Sequence, residues 1–172
     1  MLWLHDAYLI SVWLHLLAVM TWIGGMFFVA LVIVPSLRRG DRATAAKLLG
    51  ETGRRFRTVG WACFAVIFLT GCFNLSARGV TMHDFVDPVW LTSPFGKAVA
   101  IKLSLFAIVL VLSLVHDYTI GPRAVAELER DPTSLSSERL RRRASMLGRM
   151  NAVLALLLVG LGVILVRGWP AW

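Results

Sequence analysis

Four long runs of apolar residues, roughly 7–34, 58–77, 98–120 and 150–167, alternate along the chain with shorter stretches that hold most of its charge. Each run is close to or beyond the ~20 residues that cross a bilayer at about 1.5 Å rise per residue. The pattern predicts an all-α integral membrane protein, one transmembrane domain over 1–172, folded as a four-helix bundle. The short connections 35–57 and 121–149 favour an antiparallel, up-and-down order. Pro35 is expected to end the first helix, with a polar turn at Leu37-Arg38-Arg39-Gly40-Asp41. Residues 42–57 alternate small, apolar and basic groups and read as an amphipathic lead into the second helix. The segment 78–97, with Asp87-Pro88 and Ser93-Pro94, cannot be one helix and reads as a partly ordered lid. Gly121-Pro122 is expected to stop the third helix, and Asp131-Pro132 to break the charged loop beyond it. No internal repeat is evident.

Composition agrees with the pattern: of 172 residues, 58% are hydrophobic and only 16% charged, and the mean hydropathy is +0.72. A soluble domain would be nearer half apolar with about a quarter of its residues charged. The first run lacks a basic lead and is too long for a signal-peptide core, so a cleavable signal is not expected. The net charge of +8 is concentrated in two loops. One holds Arg38, Arg39, Arg42, Lys47, Arg54, Arg55 and Arg57; the other runs from Arg123 through Arg141-Arg142-Arg143 to Arg149. The positive-inside rule places both in the cytoplasm and both termini outside, which makes the basic excess topological, with some attraction to anionic lipid, and not a nucleic-acid footprint. The expected location is the bacterial inner membrane. Cys63 and Cys72 lie ~13 Å apart along one helix, too far to bridge, and read as inert core residues.

Against this background the intramembrane polar groups are the candidates for chemistry. His15 sits inside the first run, and a ring nitrogen in hydrocarbon is costly without a partner. Trp22 returns to its face nearly two turns on, and Gly24-Gly25 admit close approach of a helix or a flat ligand. On the third helix Lys102, Val109 and His116 share a face, with Lys102 and His116 ~21 Å apart. His15 and Lys102 are expected to meet in the outer leaflet with Asn74. His116 is expected near Asp117, Arg123, Arg149 and Asn151 on the inner side.

Histidine, glycine, aromatic and basic residues together suit haem b, with His15 as first axial ligand and His116 as ligand to a second haem. The sixth position at His15 is open among His83, His5, Met20, Lys102 or no ligand. Arg149, Arg54 and Arg55 are placed to meet propionates. Lys102 either neutralises a carboxylate, passes a proton, or snorkels outward. The loop Met82-His83-Asp84, with His5-Asp6, offers thioether and imidazole to copper. The bland alternative is that each histidine only hydrogen-bonds across helices.

The pattern His15-x6-Trp22-x-Gly24-Gly25-x-Phe27-Phe28, ending at Pro35, resembles the first helix of the CopD (copper resistance protein D) family and of the related HemJ protoporphyrinogen IX oxidases. Gly53-Arg54-Arg55-Phe56, Thr70-Gly71, Lys102 to His116, and Arg149-x-Asn151 extend the resemblance over most of the chain. It implies a four-helix membrane domain. In the HemJ branch it also implies haem b on the residue matching His15, with Lys102 and His116 matching that branch's third-helix lysine and histidine. Val34-Pro35-Ser36 stands where that branch has a Tyr-His pair, and Ala152 where an acidic residue would follow Asn151. In the CopD branch the resemblance implies copper uptake into the cytoplasm.

The expected function is therefore a cytochrome-like electron carrier across the lipid bilayer, binding one or two haems between a quinone or periplasmic partner and another acceptor. A CopD-like copper transporter and a HemJ-like oxidase are the alternatives. Nucleic acid is not an expected partner, and association into a homo-oligomer is left open.

Overall fold

A computed structural model describes residues 2–37, 42–131 and 133–167. Four rods dominate it: α1 (Leu2–Phe28), which continues through a π-turn at Val29–Ile33 into α2 (Val34–Leu37); α3 (Arg42–Ala77); α5 (Pro94–Val115), which continues through a π-turn at His116–Ile120 into α6 (Gly121–Arg130); and α7 (Leu135–Arg167). All four are long and apolar enough to cross a membrane. Their outward faces carry Trp13, Leu31, Phe68, Leu69, Val111 and Leu156, as lipid contact requires. The expected turn at 38–41 and the break at Pro132 lie outside the described residues.

The helix ends differ from the sequence reading at both prolines. Neither Pro35 nor Gly121-Pro122 stops its helix. A proline in a helix lacks one N–H and crowds the carbonyl four residues back. Here each π-turn ends two residues before its proline, and the N–H of the residue between bonds five back, Val34 to Val29 and Gly121 to His116. The wider turn absorbs the proline, and the helix runs on. The lead into the second span is helical from Arg42 onward, continuous with the span.

The connection between the second and third spans is short and ordered. Gly79, at φ 81°, ends α3, and the Val80 N–H returns to the Leu75 carbonyl. A 3-10 turn (Asp84–Val86) and α4 (Pro88–Thr92) follow. Asp87 and Ser93 each cap a helix whose first residue is proline: Asp87 accepts from Val89 N–H at 2.9 Å and Ser93 from Gly96 N–H at 3.0 Å. Phe85, Trp90 and Phe95 pack edge to face around this cap.

The bundle is two helix hairpins, α1 on α3 and α5 on α7. Although no repeat is evident in residue identities, the hairpins follow one plan. Twenty residues separate His15 from Pro35, and twenty separate Lys102 from Pro122. In that register Ser11, His15, Ala18 and Trp22 correspond to Ala98, Lys102, Leu105 and Val109, and inward and outward positions match from 14 to 25 against 101 to 112. On the second helices Gly60, Phe64, Ile67 and Gly71 correspond to Asn151, Ala155, Leu158 and Gly162, again with matching exposure. The core sits where the two plans meet. Trp22 and Phe64 pack tilted with ring centroids 4.9 Å apart, and Phe64 also meets Trp61 at 5.5 Å and Phe106 at 6.0 Å. Val109 and Ala155, both 0% exposed, fill the complementary places.

Candidate functional site

At the end of the bundle where α1 begins and α7 finishes, His15 is held by the second helix of its own hairpin. Its Nδ1 lies 2.8 Å from Thr70 Oγ1. The Thr70 hydroxyl has a single proton, and it lies 2.5 Å from the Val66 carbonyl, so that proton is donated there. Thr70 therefore accepts from His15 Nδ1–H, which leaves Nε2 as the lone-pair nitrogen. Ser11 donates to the Thr70 carbonyl at 3.5 Å and ties the same seam. Gly71 leaves room for the ring: a Cβ built there would stand 3.7 Å from His15 Cε1.

Lys102 occupies the matching place in the second hairpin. Its Nζ lies 3.6 Å from where a Gly162 Cβ would be. The Arg78 guanidinium donates to the Tyr8 hydroxyl at 3.1 and 3.0 Å and to the Leu165 carbonyl at 3.4 Å. On the α3 face between Gly71 and Arg78, the buried Asn74 Oδ1 has no hydrogen-bond partner. Sequence spacing brings His15, Lys102 and Asn74 to one level; Thr70, Tyr8 and Arg78 emerge only from the structure, although Thr70-Gly71 already stood out in the sequence.

At the opposite end, His116 Nδ1 pairs with Asp117 Oδ1 at 3.0 Å, and Trp61 Nε1–H donates to Asp117 Oδ2 at 3.2 Å. Both oxygens of the carboxylate are thus engaged. Arg57 lies over the Tyr118 ring at 5.0 Å. Asn151, 7% exposed, donates to Ser113 Oγ at 2.9 Å and leaves its Oδ1 unpartnered.

Two expected placements are corrected, and a third falls to one of its alternatives. The space beside Gly25 is filled by the Phe56 ring of α3, so of the two alternatives it is the close approach of a helix that the structure shows there. Trp22, 6% exposed, is packed on Phe64 and forms no wall of a pocket. Arg149 is exposed and donates to the Ser145 carbonyl of its own helix at 3.3 Å, away from His116. Spacing places a residue on a face, but which neighbour fills the space opposite depends on the packing. In the cap, Met82 and His83 are exposed. The Asp84 carboxyl is held by the Thr81 N–H and hydroxyl, which keep it below the ordinary carboxylate range and occupy it within the turn. Among the described residues no group of three or more His, Cys, Asp or Glu side chains converges.

These features define a class: a polytopic membrane bundle of two matched helix hairpins, with a histidine in one and a lysine in the corresponding place of the other. Residues 50–166 match the copper resistance protein D family, CopD, and the chain belongs to that family. The matched segment includes Lys102, His116 and Asn151; His15 precedes it. The chain is 31% identical over 151 residues to an uncharacterized protein of Aquifex aeolicus, covering 87% of this chain and 89% of that one. It is 30% identical over 103 residues to the copper transport protein CutJ of Bacillus subtilis, covering 60% of this chain but 17% of CutJ. No solved structure matches it. Family and helices together identify a multi-pass protein of the bacterial inner membrane.

Proposed function

We propose that this protein handles copper in the membrane, with His15 Nε2 taking the ion within the bundle. The observation that carries the reading is the Thr70 hydrogen bond, which fixes the ring and leaves a neutral imidazole nitrogen free inside a span. Imidazole held through its other nitrogen is the usual state of a metal-binding histidine. His116 is the second station, ~21 Å along the bundle from the level of Lys102. Its Nδ1 rests on Asp117, the carboxylate–histidine pairing common behind metal ligands. The exposed Met82 and His83 supply donors at the entrance. Membership of the copper resistance protein D family and similarity to CutJ support the same reading.

The haem b expectation is less well served. Of the residues offered for a macrocycle, Gly25 is covered by Phe56 and Trp22 is packed against Phe64. Trp61, Phe64 and Phe106 occupy the centre between the two histidine levels. The residues present do not form a haem slot there, and no step is routed through one.

The test is competition for Cu(I) between the detergent-purified chain and a chromophoric chelator. His15→Ala is expected to weaken binding at least about tenfold, and His116→Ala to remove a second, separable site. Copper affinity unchanged by His15→Ala would overturn the reading. So would a Soret band in the purified protein that His15→Ala abolishes.

A further inference from the structure

The two histidines inside the spans are held in the same way by different acceptors. Thr70 Oγ1 takes His15 Nδ1–H at 2.8 Å, and Asp117 Oδ1 takes His116 Nδ1–H at 3.0 Å. A carboxylate only accepts, so the proton at that contact belongs to the imidazole, and the neutral ring keeps its lone pair on Nε2, as at His15. Each ring also lies beside a glycine. A Cβ built on Gly71 would stand 3.7 Å from His15 Cε1, and one on Gly121 4.0 Å from His116 Cε1. The same nitrogen is thus presented at both levels, and the difference lies behind it. The Thr70 hydroxyl is neutral and gives its own proton to the Val66 carbonyl. Asp117 brings a carboxylate, and that carboxylate is fixed from the other hairpin. The Trp61 indole N–H holds Oδ2 at 3.2 Å, which leaves Oδ1 to the imidazole. A hydrogen bond to a carboxylate is charge-assisted and makes the ring a stronger ligand, and the negative charge attracts a cation on the far nitrogen. A neutral hydroxyl orients the ring without adding that charge.

We propose that copper affinity rises along the bundle from His15 to His116, with Asp117 as the positioning residue that sets the difference and Trp61 as the clamp that holds it. The inference rests on the copper reading and adds a direction to it. An ion that leaves His15 reaches lower free energy at His116, so the paired sites draw copper from the end where α1 begins toward the π-turn before α6.

The test is competition for Cu(I) between a chromophoric chelator and full-chain variants in detergent, each keeping one of the two histidines, at one mildly alkaline pH. His116→Ala reports the His15 site, His15→Ala reports the His116 site, and the double variant gives the background of the remaining donors. The His116 site is expected to bind at least about tenfold more tightly than the His15 site. In the His15→Ala chain, Asp117→Asn keeps the shape of the side chain and removes its charge, and should bring the two affinities to near parity. The new amide nitrogen can face the Trp61 N–H, so Asp117→Asn with Trp61→Phe is measured beside it and should show the same loss. Trp61→Phe alone should weaken the His116 site by a smaller factor. In the His116→Ala chain, Asp117→Asn should leave the His15 site unmoved. Melting without copper shows that each variant folds. Equal affinities, a tighter His15 site, a His116 site indifferent to Asp117→Asn, or a loss at both sites would each overturn the proposal and leave the copper reading standing. No binding above the background in either single-histidine chain would overturn both.

Discussion

The first hairpin carries bulk at the core and a neutral base in its polar place: Trp22, Phe64 and His15. The second carries Val109, Ala155 and Lys102 in the corresponding positions. If both halves kept the large residues, two indoles and two phenyl rings would compete for one space. If both kept the small ones, the centre would be hollow. The difference is thus complementary, and it shows how a repeated backbone plan becomes a close-packed core at native density.

The sharpest way to break that comparison is to exchange the bulk. Phe64→Ala removes a ring that is 4% exposed and touches Trp22, Trp61 and Phe106, so a loss of about 3–5 kcal/mol is expected. Ala155→Phe adds a ring where none fits, at about 1–3 kcal/mol. The double variant should be more stable than the sum of the two, since each change supplies what the other removes. Melting in detergent measures this, and strict additivity would show that the two positions do not share one space.

The polar exchange has a smaller effect and tests identity against position. His15→Lys with Lys102→His moves the imidazole into the second hairpin, where Leu161 corresponds to Thr70. Without a hydroxyl to hold Nδ1, the moved histidine should bind Cu(I) about tenfold more weakly than the wild type. Adding Leu161→Thr should recover most of that loss. Recovery without Leu161→Thr would mean that Thr70 has no part in presenting the ring.

The same comparison explains what the sequence makes legible. Span number, the level shared by His15 and Lys102, and the lead into the second helix follow from hydropathy and 1.5 Å per residue. The duplication does not, because corresponding positions share burial and not identity: His with Lys, Trp with Val, Phe with Ala. Nor does the filling of Gly25 by Phe56, or the turning of Arg149 along its own helix, since both depend on a neighbour that no spacing names. The proline sites mislead for a different reason. Proline usually ends a helix, and only an added residue per turn lets it pass.

Those prolines provide the smallest and most local test. Removing either one removes the local cause of its π-turn and gains about one backbone hydrogen bond, worth roughly 1 kcal/mol. In the first hairpin the turn, Val29–Ile33, is wholly apolar and leads into α2, four helical residues among those described. In the second the turn contains His116, Asp117 and Tyr118, and it leads into α6, where Val125 packs on Gly50. Relaxation to a regular helix would rotate Asp117 away from Trp61 and Tyr118 away from Arg57. Each of those interactions is worth about 1 kcal/mol, and the packing of α6 would suffer as well. The gain wins in the first hairpin and loses in the second. Pro35→Ala should therefore let its turn relax, and Pro122→Ala should keep the wide turn, with melting changed by less than about 1 kcal/mol in each case. The indole N–H resonance of Trp61 reports the outcome: it should move in Asp117→Asn and stay in place in Pro122→Ala. If it moved equally in both, the proline alone would make the turn, and the pairing of Asp117 with Trp61 would be a consequence of it.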